Sequence, residues 1–218
     1  MLPSVPDSTR GVGEAAVLVA LSFGWFILLS VSAVFNGVPV SAGFSDAALT
    51  GMVLTELACG TMALLFLHYR TYPVRGLLPS PNWRSSLEGV VLCAAALLAC
   101  TLVDMLIPSD QDAMQPIAQI MANSRPSPGV VLIISLVNGL YEETFLLGYL
   151  QRAFASAGAS FAIGLSVLVR LLYHLYQGPN GAVSVVVFGV VLGYVYWRTG
   201  RLWPAIVAHA LADMLALA

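Results

Sequence analysis

Seven apolar runs follow one another along the chain, separated by short polar stretches: Ala15 to Phe35, Ala47 to Leu67, Leu87 to Ile107, Gly129 to Phe154, Ser160 to Gln177, Gly181 to Trp197, and Leu202 to Leu217. A membrane helix needs roughly 20 mostly apolar residues. The first three runs meet that length cleanly, and the last three are shorter and closely spaced. Proline and glycine punctuate the pattern: Pro73, Pro79 and Pro81 break the chain after the second run, Gly178-Pro179 closes the fifth, and Trp203-Pro204 opens the seventh. The pattern predicts an all-α, polytopic transmembrane bundle of about seven spans, with eight as the alternative, and one integral membrane domain over residues 1–218. The first run is read as a retained anchor, because its uncharged core exceeds the roughly 7–15 residues of a signal peptide and no cluster of cations precedes it.

Composition agrees. Of the 218 residues, 59% are hydrophobic and 9% are charged, whereas a soluble domain carries about 25% charged residues. Lipid must solvate much of this surface. All nine cations are arginine, scattered without a basic run, which gives nucleic-acid binding no support. Cys59, Cys93 and Cys100 all fall inside apolar runs and read as small core residues.

The arginines also suggest an orientation. With the N-terminus in the cytoplasm, Arg10, Arg70, Arg75, Arg84, Arg152, Arg198 and Arg201 fall on the cytoplasmic side, while Arg125 falls outside with Asp110 and Asp112. This matches the positive-inside rule, and in a bacterium the membrane would be the inner one.

The chemistry lies in ionisable residues within the runs. A charge at mid-membrane costs about 2.5–3.5 kcal/mol on insertion scales, so such groups face an interior or a wet cavity. The fourth run carries Asn138, Glu142 and Glu143; the fifth carries Ser166, Arg170 and His174 at spacing four; the seventh carries His209 and Asp213, again four apart. Residues four apart share a helix face. Three polar stripes on three oily helices are therefore expected to face one another. Two carboxylates, two imidazoles and a third acid in a polar cavity can activate water and hold an oxyanion. Glu56 and Asp104 lie in runs without a motif. Glu56 is expected to be structural or, when protonated, hydrogen-bonded, with lining the cavity or binding substrate as the alternative. Gly189 and Gly193 form a small-residue pair suited to close helix packing.

These residues resemble the motifs of the CPBP family, which comprises the type II CAAX prenyl endopeptidases and their bacterial relatives. Tyr141-Glu142-Glu143-Thr144-Phe145-Leu146-Leu147 resembles its paired-glutamate motif, Arg170-Leu171-Leu172-Tyr173-His174 its histidine motif, and His209-Ala210-Leu211-Ala212-Asp213 its third motif. His174 follows Glu142 by 32 positions and His209 follows His174 by 35. The resemblance covers roughly the C-terminal 90 residues, about 129–218. It implies a glutamate-dependent intramembrane endopeptidase of a family once thought to use zinc. Its substrate would be a membrane-associated protein or peptide. Glu142 would be the general base, activating water with His174. His209 and Asp213 would bind the oxyanion, and Glu143 would brace the site.

One departure stands out. The family pattern Glu-Glu-x-x-x-Arg places an arginine where this chain has Leu147. Arg170, buried in the next span and needing an anion, is expected to take over that charge. Asp213 either donates to the oxyanion while protonated or accepts from His209 or His174. At 1.5 Å of rise per residue, Glu142, His174 and His209 fall at depths differing by on the order of 10 Å.

No cofactor is expected. The alternatives are a zinc site on Glu142, His174 and His209, an inactive scaffold or immunity factor on the same fold, and an ion-coupled transporter, which should show an inverted repeat that is not seen here. Read blandly, Glu142 and Glu143 would merely pair with Arg152 or Arg170, and His174 would be a packing residue.

Overall fold

A computed structural model describes residues 11–106 and 115–218. Among these the chain is all-helical, without strands: α1 Val12–Asn36, α2 Asp46–Tyr69, α3 Trp83–Asp104, α4 Pro116–Asn123, α5 Pro128–Glu143, α6 Ala159–His174, α7 Gly178–Thr199 and α8 Trp203–Leu217. Arg10, Ile107, Pro108, Asp110 and Asp112 lie outside the described residues.

Helical stretches at 12–36, 46–69, 83–104, 128–151 and 159–199 are long and apolar enough to cross a membrane, and α8 is a shorter apolar helix of the same character. The 41-residue stretch turns back on itself, so it supplies two antiparallel legs, α6 and α7. The reversal is made by a single turn, Leu175–Gln177, followed by Gly178 at φ 82°. A side chain at Gly178 would also meet the Pro116 ring at 2.7 Å, so both backbone hand and space require glycine. Gly178-Pro179, expected to close the fifth span, instead opens α7, with the proline in its first turn where no amide donor is needed. The architecture is compatible with about seven spans.

The short helix α4 has no counterpart among the expected spans. It lies against the loop between α1 and α2. The Asn123 side chain donates to the carbonyls of Val40 and Ala42 at 2.8 and 3.1 Å, and the Phe44 amide donates to Ser124 Oγ at 2.7 Å.

Polarity is arranged inside out. Leu28, Leu57, Val91, Leu98 and Ile133 are exposed on the outer surface of the bundle, while Glu56, Glu142, Glu143, Arg170 and His209 are buried. Lipid accepts the first set without cost, and the second set must find partners within the protein. Apolar packing still fills the middle. Phe23, Leu67, Tyr141, Phe145 and Leu146 gather between α1, α2 and α5, and Leu92, Leu147, Leu192 and Ile206 between α3, α7 and α8. The Tyr141 hydroxyl donates to the Ser22 carbonyl and ties α5 to α1. At one face of the bundle Glu14, on α1, accepts from Arg70 Nε and from the Tyr149 hydroxyl, each at 3.2 Å.

The helices approach closely at glycines. A Cβ on Gly139 of α5 would stand 3.0 Å from the Ala210 amide nitrogen and the Ile206 carbonyl of α8. One on Gly189 of α7 would stand 3.3 Å from Arg170 Cδ. The small pair Gly189 and Gly193 thus packs α7 on α6, as its spacing suggested. Gly139→Val should push α8 away from α5 and destabilise the fold by about 1–3 kcal/mol. Thermal unfolding in detergent reads this, and an unchanged midpoint would mean that the two helices are not held at backbone distance.

Candidate active site

Immediately after Glu143 the helix widens. Residues Thr144–Gln151 form a π-helical stretch that continues α5, a form that is rare outside functional segments. Its last residue, Gln151, is fully buried and donates from Nε2 to the Gly193 carbonyl at 2.8 Å, which anchors the stretch to α7.

The two glutamates at the end of α5 point to neighbouring sides, because successive helical residues are rotated by about 100°. The Arg170 guanidinium from α6 lies between them. Its Nη1 donates to Glu142 Oε2 at 2.9 Å and its Nη2 to Glu143 Oε1 at 2.6 Å. All three side chains are at most 5% exposed. The expected partner is therefore Arg170 and not Arg152, which reaches the Gly76 carbonyl. Leu147, at the position of the family arginine, is 1% exposed and packs with Leu92, Leu192 and Ile206.

His209 of α8 closes the network. Its Nδ1 lies 2.5 Å from Glu143 Oε1, so that nitrogen carries the proton. Its Nε2 is left between Glu142 Oε2 at 3.8 Å and Asp213 Oδ1 at 3.6 Å. Phe188 meets the ring edge-on with centroids 5.6 Å apart. Asp213 accepts from Asn138 Nδ2 at 2.8 Å, which gives Asn138 a bracing contact on a second helix.

His174 stands apart from this network. Its Nδ1 is 3.0 Å from the Arg170 carbonyl one turn back on the same helix, and Nε2 is the nitrogen left free. No hydrogen bond joins it to Glu142 among the described residues, but both line one cavity of about 720 Å³. The difference in depth seen in the sequence is resolved in this way: His209 meets the glutamates at the level of Arg170, and His174 sits a turn beyond, on the cavity wall.

Sequence reasoning passed over Tyr173. Its hydroxyl donates to Glu142 Oε2 at 2.5 Å, and its ring stacks on Phe23 at 5.0 Å with an interplanar angle of 6°. It stands three residues after Arg170 and so shares that residue's face, which is the signal that could have revealed it. The hydrogen bonds that reach Glu142 thus fall on Oε2, and the carboxylate lines the cavity.

Glu142, Glu143 and His209 bring one ligand atom each within 4.8 Å of one another. His174, expected as a zinc ligand, is not in that group. The set does not suit a divalent cation. The guanidinium of Arg170 already occupies the space between the carboxylates, and Glu143 Oε1 is shared by Arg170 and His209 Nδ1. A metal there would have to displace a buried cation from its two counter-ions.

Residues 124–215 match the family model described as Rce1-like, type II CAAX prenyl endopeptidase. That segment is similar to the CPBP family. It is a family of CAAX-type membrane proteases, and the matched residues include every candidate site residue named from the sequence. No curated protein and no solved structure matches the chain.

Arg170→Leu should leave two buried carboxylates without their cation and cost about 3–5 kcal/mol of stability. Arg170→Lys, which supplies one point charge where two donors are used, should recover part of it. Thermal unfolding of the pair tests this, and a leucine variant as stable as the parent would show that the ion pairs do not hold the helices.

Proposed function

We propose that this protein is an intramembrane endopeptidase of the glutamic type, which hydrolyses a peptide bond in a membrane-associated protein or peptide. The observation that carries the reading is the state of Glu142. One oxygen is fixed by Arg170 and Tyr173, while the carboxylate itself opens on a cavity that His174 and Asp213 also line. A base needs both a fixed orientation and an unoccupied lone pair.

In this mechanism a water sits between Glu142 Oε1 and His174 Nε2. Glu142 takes its proton as the oxygen attacks the scissile carbonyl carbon. The resulting oxyanion accepts hydrogen bonds from the His209 and Asp213 side: His209 donates from Nε2 when the ring carries both protons, and Asp213 donates when protonated or otherwise orients that ring. Glu142 then returns the proton to the leaving amine nitrogen as the C–N bond breaks. Glu143 and Arg170 brace the base, with Arg170 in place of the arginine that Leu147 lacks. The reaction uses no metal. The helices form one membrane domain with the N-terminus in the cytoplasm, since Arg70, Arg75, Arg84, Arg152, Arg198 and Arg201 lie toward the face where α1 begins, and for a bacterial cell the membrane is the inner one.

Cleavage of membrane-anchored peptides by purified protein should fall at least about 100-fold in Glu142→Ala and His174→Ala, with unfolding midpoints showing that both remain folded. A chelator should change nothing. Loss of activity to chelator with recovery on adding zinc would replace the metal-free mechanism, and full activity in Glu142→Ala would remove the proposal. Tyr173→Phe keeps the stack on Phe23 but loses the hydrogen bond to the base. It should lower kcat about tenfold with KM unchanged, and a change confined to KM would make Tyr173 a substrate contact instead.

A further inference from the structure

Opposite the catalytic network, α2 contributes a carboxyl that the mechanism does not use. Glu56 is 3% exposed and lines the same cavity as Glu142, His174 and Asp213. No hydrogen bond or ion pair holds it among the described residues, and its Oε2 is buried without a partner. Every other buried carboxyl among the described residues has a partner: Glu14 has Arg70 and Tyr149, Glu142 has Arg170 and Tyr173, and Glu143 has Arg170 and His209. A carboxyl buried without a donor is costly, and the cost is recovered if something entering the cavity supplies that donor.

The rest of the lining says which sign that donor has. The cavity wall is largely apolar, with Trp25, Phe26, Leu29 and Phe44 among its residues, so it suits an apolar segment. Among the described residues three carboxyl side chains face it, those of Glu56, Glu142 and Asp213, and no lysine or arginine does. Arg170 is turned away into the ion pairs with the glutamates. A cation carried into this space would find carboxyl groups to pair with at low dielectric.

We infer that Glu56 is a specificity residue, and that the substrate of the proposed protease is an apolar peptide segment with a cationic side chain near the scissile bond. The inference rests on the endopeptidase reading for its use of the word substrate, but the binding preference can be measured without turnover.

The test uses the full-length protein in detergent as the Glu142→Gln variant, so that bound peptide is not cleaved. Binding is read by fluorescence anisotropy for an apolar peptide with arginine walked through its central positions. Matching peptides carry norleucine or glutamate there, with the N-terminus free or acetylated and the C-terminus amidated or free. The arginine peptide, acetylated and amidated, should bind at least about tenfold more tightly than the norleucine one. A preference that follows the free amino group instead would assign the cation to a peptide N-terminus. Adding Glu56→Gln should remove the arginine preference.

Equal affinities across the series, no measurable binding of the arginine peptide, or a preference that survives Glu56→Gln would each overturn the inference. The comparison between peptides on the Glu142→Gln protein stands even if the double variant does not fold. Cleavage by the parent protein without regard to charge would overturn this inference and leave the protease reading intact. Glu56-dependent binding without cleavage by the parent protein would do the reverse.

Discussion

A guanidinium buried inside a membrane protein fixes much else. Arg170 cannot lose its proton, and it cannot reach water from the middle of α6, so the fold must bring anions to it. It does so with two adjacent glutamates at the point where α5 widens. Once Arg170 lies between Glu142 and Glu143, α5 and α6 are locked in relative depth and rotation. Gly189 on α7 leaves room for the arginine stem, and His209 on α8 completes the charge pattern by reaching Glu143. Four helices are thereby keyed to one cation.

The same network divides labour between the two glutamates. Glu143 is fully buried and engaged by Arg170 and His209, so it serves the framework. Glu142 has one oxygen held on the framework side and faces the cavity. A carboxylate held on one oxygen and open on the other is preorganised, and it need not give up a protein partner when a water or ligand arrives. Tyr173 and Arg170, on one face of α6, both serve this end.

The departure at Leu147 fits this picture. With the cation supplied by α6, an apolar residue at 147 is free to pack with Leu92, Leu192 and Ile206, where α3, α7 and α8 converge.

The sequence alone determined the all-helical membrane fold and that its polar stripes meet. Its long apolar runs set the helices, since only helices satisfy their backbone within lipid. Spacing four in each polar stripe showed that Arg170 and His174, and likewise His209 and Asp213, share a face, and the cost of burying them implied that the stripes meet. What the sequence could not decide was which atom meets which. Contacts between helices depend on tilt, depth and the widened turn after Glu143, and these are set by packing at places such as Gly139 and Gly189. So the tertiary structure decided that His209, not His174, bonds directly to the glutamate pair, and that Tyr173 holds Glu142. It also placed α4 against the loop between α1 and α2. Glu56, which looked structural because a lone acid in an oily helix usually finds a partner in its own bundle, was left by that packing on the cavity wall with no partner among the described residues.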